Sequence, residues 1–185
     1  VYMLTGQMFH IPVALAMNYM AHGCPVVLIN FEAKLALEVI QRERVSAFLG
    51  ITTMINWMMA VEDFSDYDLS SLTVLLSGGA ILSVHLKEEL LQLLPHVMII
   101  DGLGSSEAGG QLTHASGHGV ATTGRFPLSP QNHVLDADFT RLLSPGHSET
   151  DHPDSGWLAK SGRLALGYLG DADKTARTYR TIDGV

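Results

Sequence analysis

Two short stretches carry glycines, hydroxyls and a carboxylate at spacings that suit a phosphorylated ligand. They are Ser77-Gly78-Gly79-Ala80 and Asp101-Gly102-Leu103-Gly104-Ser105-Ser106-Glu107. Each follows an apolar run that predicts a strand, Val74-Leu75-Leu76 before the first and Val97-Met98-Ile99-Ile100 before the second. Ligands of open parallel sheets sit at the carboxyl ends of strands, so both turns are expected at one sheet edge. Gly78 and Gly79 let backbone approach a flat ligand with no Cβ between, although an ordinary strand-to-helix turn accounts for the same residues. Ser105, Ser106 and Glu107 are expected where the second turn gives way to a helix, whose free N–H groups would join the hydroxyls around phosphate oxygens. Glu107 is a hard oxygen ligand suited to Mg²⁺. A carboxylate facing the positive end of a helix is its other reading.

Other chemistries lack their residues. Neither Ser83 nor Ser105 lies in Gly-x-Ser-x-Gly, so no hydrolase elbow is expected. Gly102-Leu103-Gly104 has no third glycine at dinucleotide-binding spacing. His114 and His118 have the i, i+4 spacing of a helical zinc pair, but Gly117 and Gly119 disfavour a helix and no third ligand is near. Zinc is therefore not expected. His10, after Phe9 and before an apolar segment, is either a site residue or a satisfied buried histidine.

The elements that must position these groups alternate from residue 11 to about residue 110. Ile11 to His22 predicts a buried helix, stopped by Gly23 and Pro25. Val26 to Ile29 predicts a strand, Ala33 to Arg44 an amphipathic helix and Ala47 to Leu49 a strand. Thr52 to Val61 predicts a helix whose Met54, Met58 and Met59 offer a soft apolar wall. Val84 to Leu94 predicts a helix with Leu86, Leu90, Leu93 and Leu94 on one side. Such β-α-β alternation implies a parallel sheet. Past Gly110 the texture changes to short runs (His133–Leu135, Arg141–Leu143, Trp157–Lys160, Leu164–Leu166) separated by turn signals, with a short helix over Asp171–Tyr179. The expected fold class is therefore α/β: a parallel βαβ subdomain over 1–110, then a small β-rich, partly barrel-like subdomain over 111–185.

Composition narrows the partners. The net charge of −8 and the absence of a basic stripe argue against nucleic acid. An acidic chain needs Mg²⁺ and local backbone donors to hold ATP. The single cysteine, Cys24, forms no internal disulfide and suits a reducing compartment. No apolar run approaches the roughly 20 residues of a spanning helix, and no secretory signal is visible, so a cytoplasmic location is expected. The abrupt start at Val1 and stop at Val185 predict an internal piece of a longer protein.

The order Gly-Gly-Ala, then Gly-Leu-Gly-Ser-Ser-Glu, then Gly167-Tyr168-Leu169 with Lys174-Thr175 resembles the adenylate-forming (AMP-binding) superfamily. That superfamily includes acyl-CoA synthetases, luciferases and peptide-synthetase adenylation domains. Met8-Phe9-His10 resembles its Leu-Phe-His segment, and the likeness is strongest to bacterial fatty-acyl-CoA synthetases, the long-chain fatty acid–CoA ligases. Its usual turn is Gly-Tyr-Gly-x-Thr-Glu. Here Leu103 replaces the aromatic that stacks on adenine, and Ser106 replaces the threonine. The resemblance implies that Gly78, Gly79, Ala80 and residues Asp101, Gly102, Leu103, Gly104, Ser105 and Ser106 surround ATP or AMP. It gives Ser106 a phosphate role and Glu107 the Mg²⁺, and turns His10, Met54 and Gly79 toward the acid. Asp183, in Tyr179-Arg180-Thr181-Ile182-Asp183, is a candidate ribose contact or half of an Asp-Gly turn.

The implied activity is ligation of a carboxylic (fatty) acid to coenzyme A at the expense of ATP. Its implied partners are the remaining domains of the parent chain, with a homodimer left open. Two alternatives stand beside it. An amino-acid adenylation domain usually shows Phe-Asp-x-Ser, where this chain has Phe31-Glu32-Ala33-Lys34, a lysine unsuited to an ammonium substrate. A non-catalytic nucleotide- or partner-binding module is the other. The serine/threonine/glycine-rich phosphate loop and the catalytic lysine that the resemblance implies are not among these residues. A polypeptide of these residues alone is accordingly expected to release no pyrophosphate from ATP with Mg²⁺, CoA and fatty acids. Robust adenylate formation by it would contradict the reading.

Overall fold

The computed structural model describes residues 1–117, 119–143 and 156–184. The chain divides into two compact units, one of Val1–Gly102 with Thr113–Arg125, the other of Leu103–Leu112 with Phe126 onward. The hairpin tip groups with the later residues and the strand end after it with the earlier ones.

The first unit alternates strand and helix: β1 (Tyr2–Leu4), α1 (Ile11–Ala21), β2 (Val26–Leu28), α2 (Ala33–Glu43), β3 (Ala47–Leu49), α3 (Thr52–Met59), β4 (Val74–Gly78) and α4 (Val84–Leu93). Two longer strands, β5 (Met98–Ser105) and β6 (Gly109–Ser116), run through the division. Sheet order is β2-β1-β3-β4-β5-β6, and every pair from β2 to β5 is parallel. The strand β1, which the sequence pattern did not reveal, lies inside the sheet between β2 and β3.

Strand alternation sorts the core into two clusters. Met3, Phe48, Leu75 and Ile99 point to one face, where Leu37 and Ile40 of α2, Ile55 and Met58 of α3 and Leu86 and Leu90 of α4 cover them. Tyr2, Leu4 and Ala47 point to the other, against Ala16 and Tyr19 of α1. Tyr2 and Tyr19 stack with centroids 4.5 Å apart. Helix α1 is not the buried helix expected, because only Pro12 and Ala16 are buried while Met17 and Met20 are more than half exposed. Its apolar residues run all round, so no stripe marks the side that packs. On α4 the buried stripe runs through Leu86, Lys87, Leu90 and Leu91, while Leu93 is half exposed.

The second unit holds a small antiparallel sheet, β8-β7-β9, built from β7 (Asn132–Leu135), β8 (Leu142–Leu143) and β9 (Trp157–Lys160). Asp136 accepts from Thr140 N–H at 2.7 Å and Arg141 N–H at 3.2 Å, closing the β7–β8 turn. Helix α5 (Ala172–Thr178) is capped by Asp171, whose carboxylate accepts the Lys174 N–H at 2.8 Å. Leu164–Leu166 forms no strand; Leu166 is fully exposed and pairs with no neighbour strand among the described residues. The turn signals Ser144-Pro145-Gly146 and Pro153-Asp154 lie outside the described residues.

Candidate active site

In the first unit, β4 ends in the Gly78-Gly79-Ala80 turn, in register with β5 so that Ser77 faces Asp101 and Gly78 faces Gly102. A Cβ on Gly78 would stand 3.2 Å from the Gly102 carbonyl, a spacing that favours glycine. Gly79 has φ +80°, and nothing lies within 4 Å of where its Cβ would be. The turn therefore presents bare backbone to open space. Ser83 is the N-cap of α4, accepting the Leu86 N–H at 3.2 Å, which accounts for its hydroxyl.

The other strand ends of this unit share the same carboxyl edge. After β1, Thr5 donates its hydroxyl to the Leu49 carbonyl at 2.9 Å and lies 3.9 Å from the Met54 sulfur. After β3, Gly50 N–H donates to Leu76 O at 2.9 Å, and Thr52 hydroxyl to Ile81 O at 3.3 Å. His10 is the exposed N-cap of α1 and makes no side-chain cap bond. Topology thus brings His10, half-buried Met54 in the first turn of α3, and Gly79 to one edge, after the neighbouring strands β1, β3 and β4. The methionine wall shrinks to Met54. Met58 turns inward, and with Met59 it lines a core cavity of ≈ 20 Å³ among Phe48, Leu75 and Leu90. That volume has room for roughly one water, not an acyl chain.

Asp101 is also not where a ligand would meet it. It is 7 % exposed, and its carboxylate takes the ammonium of Lys87, a fully buried lysine. Lys87 also donates to the Thr122 carbonyl at 2.5 Å. The carboxylate is committed to the core, and Lys87 is the residue that sequence reasoning missed. Its signal was available, since Lys87 interrupts the stripe of leucines at helical spacing.

In the second unit, the segment after Ser105 is a hairpin and not a helix start. Ser106, Glu107 and Ala108 join β5 to β6. Two glycines decide this: a Cβ on Gly104 would be 2.5 Å from the Gly109 carbonyl, and Gly109 takes φ +66°. Ser105 accepts the Ala108 N–H at 3.2 Å. Lys160 on β9 donates to the carbonyls of Ala108 at 3.0 Å and Gly110 at 2.6 Å, supporting the tip from below. No helix terminus supplies donors here, so any anion at Ser105 and Ser106 would meet hydroxyls and turn amides. Leu103 and Ser106 are exposed.

Glu107 is held at this tip. Tyr168 donates its hydroxyl to Glu107 Oε1 at 2.6 Å. That bond first, then the Glu107 backbone amide and the Ser105 hydroxyl, hold the carboxyl below its ordinary range, with desolvation opposing and the Lys174 charge adding last. The same bond pushes the Tyr168 hydroxyl up. Among the described residues no group of three or more His, Cys, Asp or Glu side chains gathers to hold a metal. His114 lies on β6, with its ring bonded to Thr122; His118 lies outside the described residues. Asp183, at φ 50°, accepts the Leu142 N–H on Oδ2 at 3.0 Å and precedes Gly184 at φ 80°. Between ribose contact and Asp-Gly turn, this geometry favours the turn.

A family model described as AMP-binding enzyme matches residues 1–156. The medium-chain acyl-CoA ligase Mig of Mycobacterium avium is 38% identical over 162 residues, covering 87% of this chain and 28% of that protein. A medium/long-chain-fatty-acid–CoA/3-oxocholest-4-en-26-oate–CoA ligase of Mycobacterium marinum is 43% identical over 123 residues, 65% of this chain and 21% of that protein. The chain thus spans about a quarter of the length of the curated relatives it matches. Among solved structures, the amide bond synthetase McbA of Marinactinospora thermotolerans superposes with TM-score 0.78 at 22% identity, covering 97% of this chain and 36% of that one. The N-terminal domain of FACL13 from Mycobacterium tuberculosis gives TM-score 0.63 at 19% identity, with 77% and 36% covered.

Proposed function

The chain belongs to the family of AMP-binding enzymes, and on that premise we propose that the whole protein is an acid–thiol ligase that joins a medium- or long-chain fatty acid to coenzyme A. One carboxylate oxygen of the acid attacks the α-phosphorus of ATP, and the bond to pyrophosphate breaks. The thiolate of coenzyme A then attacks the acyl carbon, and AMP leaves. The observation that carries this reading is Glu107, fastened by the Tyr168 hydroxyl at a hairpin tip beside the hydroxyls of Ser105 and Ser106. The names of the two curated relatives, both CoA ligases, support the acid and the acceptor.

The residues present fit Mg²⁺. Mg²⁺ is usually held by one or two carboxylates plus substrate phosphates, and Glu107 is a hard carboxylate partly exposed at the hairpin tip, with Tyr168 on Oε1. Glu107 would hold it, and its charge would neutralise the phosphates during transfer. Ser106 would donate to a phosphate oxygen. Within the first unit, Gly78, Gly79, Ala80 and Gly102 would lie along the adenine; Leu103 and Gly104 are assigned to the nucleotide by their place in the motif alone. His10, Met54 and Gly79 would border the acid. A cytoplasmic location is part of the same reading; among the described residues no helix is long and apolar enough to cross a membrane.

In the full-length protein, short, medium and long saturated acids are expected to give CoA-dependent pyrophosphate release, strongest for medium or long ones. Release with amino acids alone would favour the amino-acid adenylation reading instead. Gly79 separates the two pockets it borders. Gly79→Ala carries only the backbone cost of φ > 0, about 1–2 kcal/mol, while Gly79→Leu adds bulk at the edge. Loss for long acids only in the leucine variant is expected if Gly79 borders the acid. Uniform loss places it on adenine, and a chain-length profile identical to Gly79→Ala would withdraw it from either pocket.

A further inference from the structure

The segment Gly167-Tyr168 and helix α5 form a support whose output is a single hydroxyl. Tyr168 N–H donates to Thr175 Oγ1 at 2.8 Å, and the Thr175 hydroxyl donates to the Asp171 carbonyl at 2.8 Å. Gly167 has φ +143°, and a Cβ there would stand 2.4 Å from Thr175 Cγ2, so the backbone lies directly on the threonine. The Tyr168 ring is covered by the Lys174 ammonium, 3.9 Å from its centroid, and flanked by Tyr179 at 6.2 Å. Backbone and ring are both fastened, and the hydroxyl ends on Glu107 Oε1. Glu107 is a flexible side chain on a hairpin tip only partly covered by neighbours. Without a partner its carboxylate would sample several rotamers.

We propose that Tyr168 is the positioning residue of Glu107: it takes up Oε1, fixes the carboxylate's direction and leaves Oε2 for the metal–nucleotide complex. Partners that orient a ligating carboxylate act on metal affinity and not on the ligand count. Lys174 and Thr175 act through Tyr168, one on the ring and one on the backbone. This inference rests on the reading of Glu107 as the metal carboxylate.

The test uses the full-length protein, with ATP present and free Mn²⁺ counted by electron paramagnetic resonance. Tyr168→Phe keeps the ring contacts and removes only the hydroxyl. It is expected to weaken Mn²⁺ binding roughly ten- to a hundredfold, while ATP affinity in EDTA is unchanged. Thr175→Val, which frees the Tyr168 backbone, is expected to weaken it in the same direction and decides the matter if the phenylalanine variant does not fold. Glu107→Gln is the control. If Glu107→Gln weakens Mn²⁺ binding and neither other variant does, the positioning role is overturned and the metal reading stands. If Glu107→Gln binds Mn²⁺ as the parent does, the metal reading itself fails, and the proposal with it.

Discussion

Lys87→Met in the full-length protein is expected to lower the stability of its sheet unit by about 3–5 kcal/mol, because it strands a buried carboxylate without its counter-charge. Asp101 is nearly inaccessible, and among the described residues Lys87 is the cation it meets. A loss of that size is a large part of the roughly 5–15 kcal/mol that stabilises a domain. The double variant Lys87→Met/Asp101→Leu removes both charges and is expected to recover most of the loss, since well-packed apolar replacements of buried pairs are often neutral. Urea unfolding midpoints of the single and double variants measure this directly. Single variants within about 0.5 kcal/mol of the parent, as surface substitutions usually are, would show that the pair is not the buried lock described. The pair also accounts for a buried carboxylate directly before the Gly102-Leu103-Gly104 run. It anchors the strand whose end carries the turn.

Glu107→Gln is expected to cut the adenylation rate of the full-length protein roughly a hundredfold, the usual cost of removing one preorganised group that stabilises developing charge. Glutamine keeps the shape and can still accept the Tyr168 hydroxyl, so the hairpin tip should hold. Steady-state rates across a Mg²⁺ series check it, with circular dichroism reporting the fold. Unchanged activity at every Mg²⁺ concentration would remove Glu107 from the metal site.

Elements whose residues alternate between two packed faces were legible in the sequence. Helices α2, α3 and α4 follow from apolar spacing, because each has a buried side and a wet side, and strands β3, β4 and β5 follow as short apolar runs bounded by turn or loop residues. Tyr2–Leu4 was missed for want of such a boundary. A strand buried on both faces shows no alternation, and three apolar residues at the chain start look like any other apolar run. Helix α1 was read in its place, but its burial was not, since uniform hydropathy marks no packing side.

The candidate site was legible in its residue types but not in its geometry. Ser-Ser-Glu after a strand suits a helix start as well as a hairpin, and only the packing of Gly104 against Gly109 separates them. The contacts that fasten Asp101 and Glu107, each within its own unit, join distant positions. Lys87 meets Asp101 across 14 residues and Tyr168 meets Glu107 across 61. Periodicity reports local faces and carries no information on such pairings.

Oxygen-18 tracing tests the central claim most directly. The full-length protein is given a long-chain fatty acid labelled in its carboxylate, with ATP, Mg²⁺ and coenzyme A, and the products are weighed by mass spectrometry. Attack of the carboxylate on the α-phosphorus predicts one labelled oxygen in AMP and unlabelled pyrophosphate. Label in inorganic phosphate with ADP as the nucleotide product, or AMP free of label, would contradict the account.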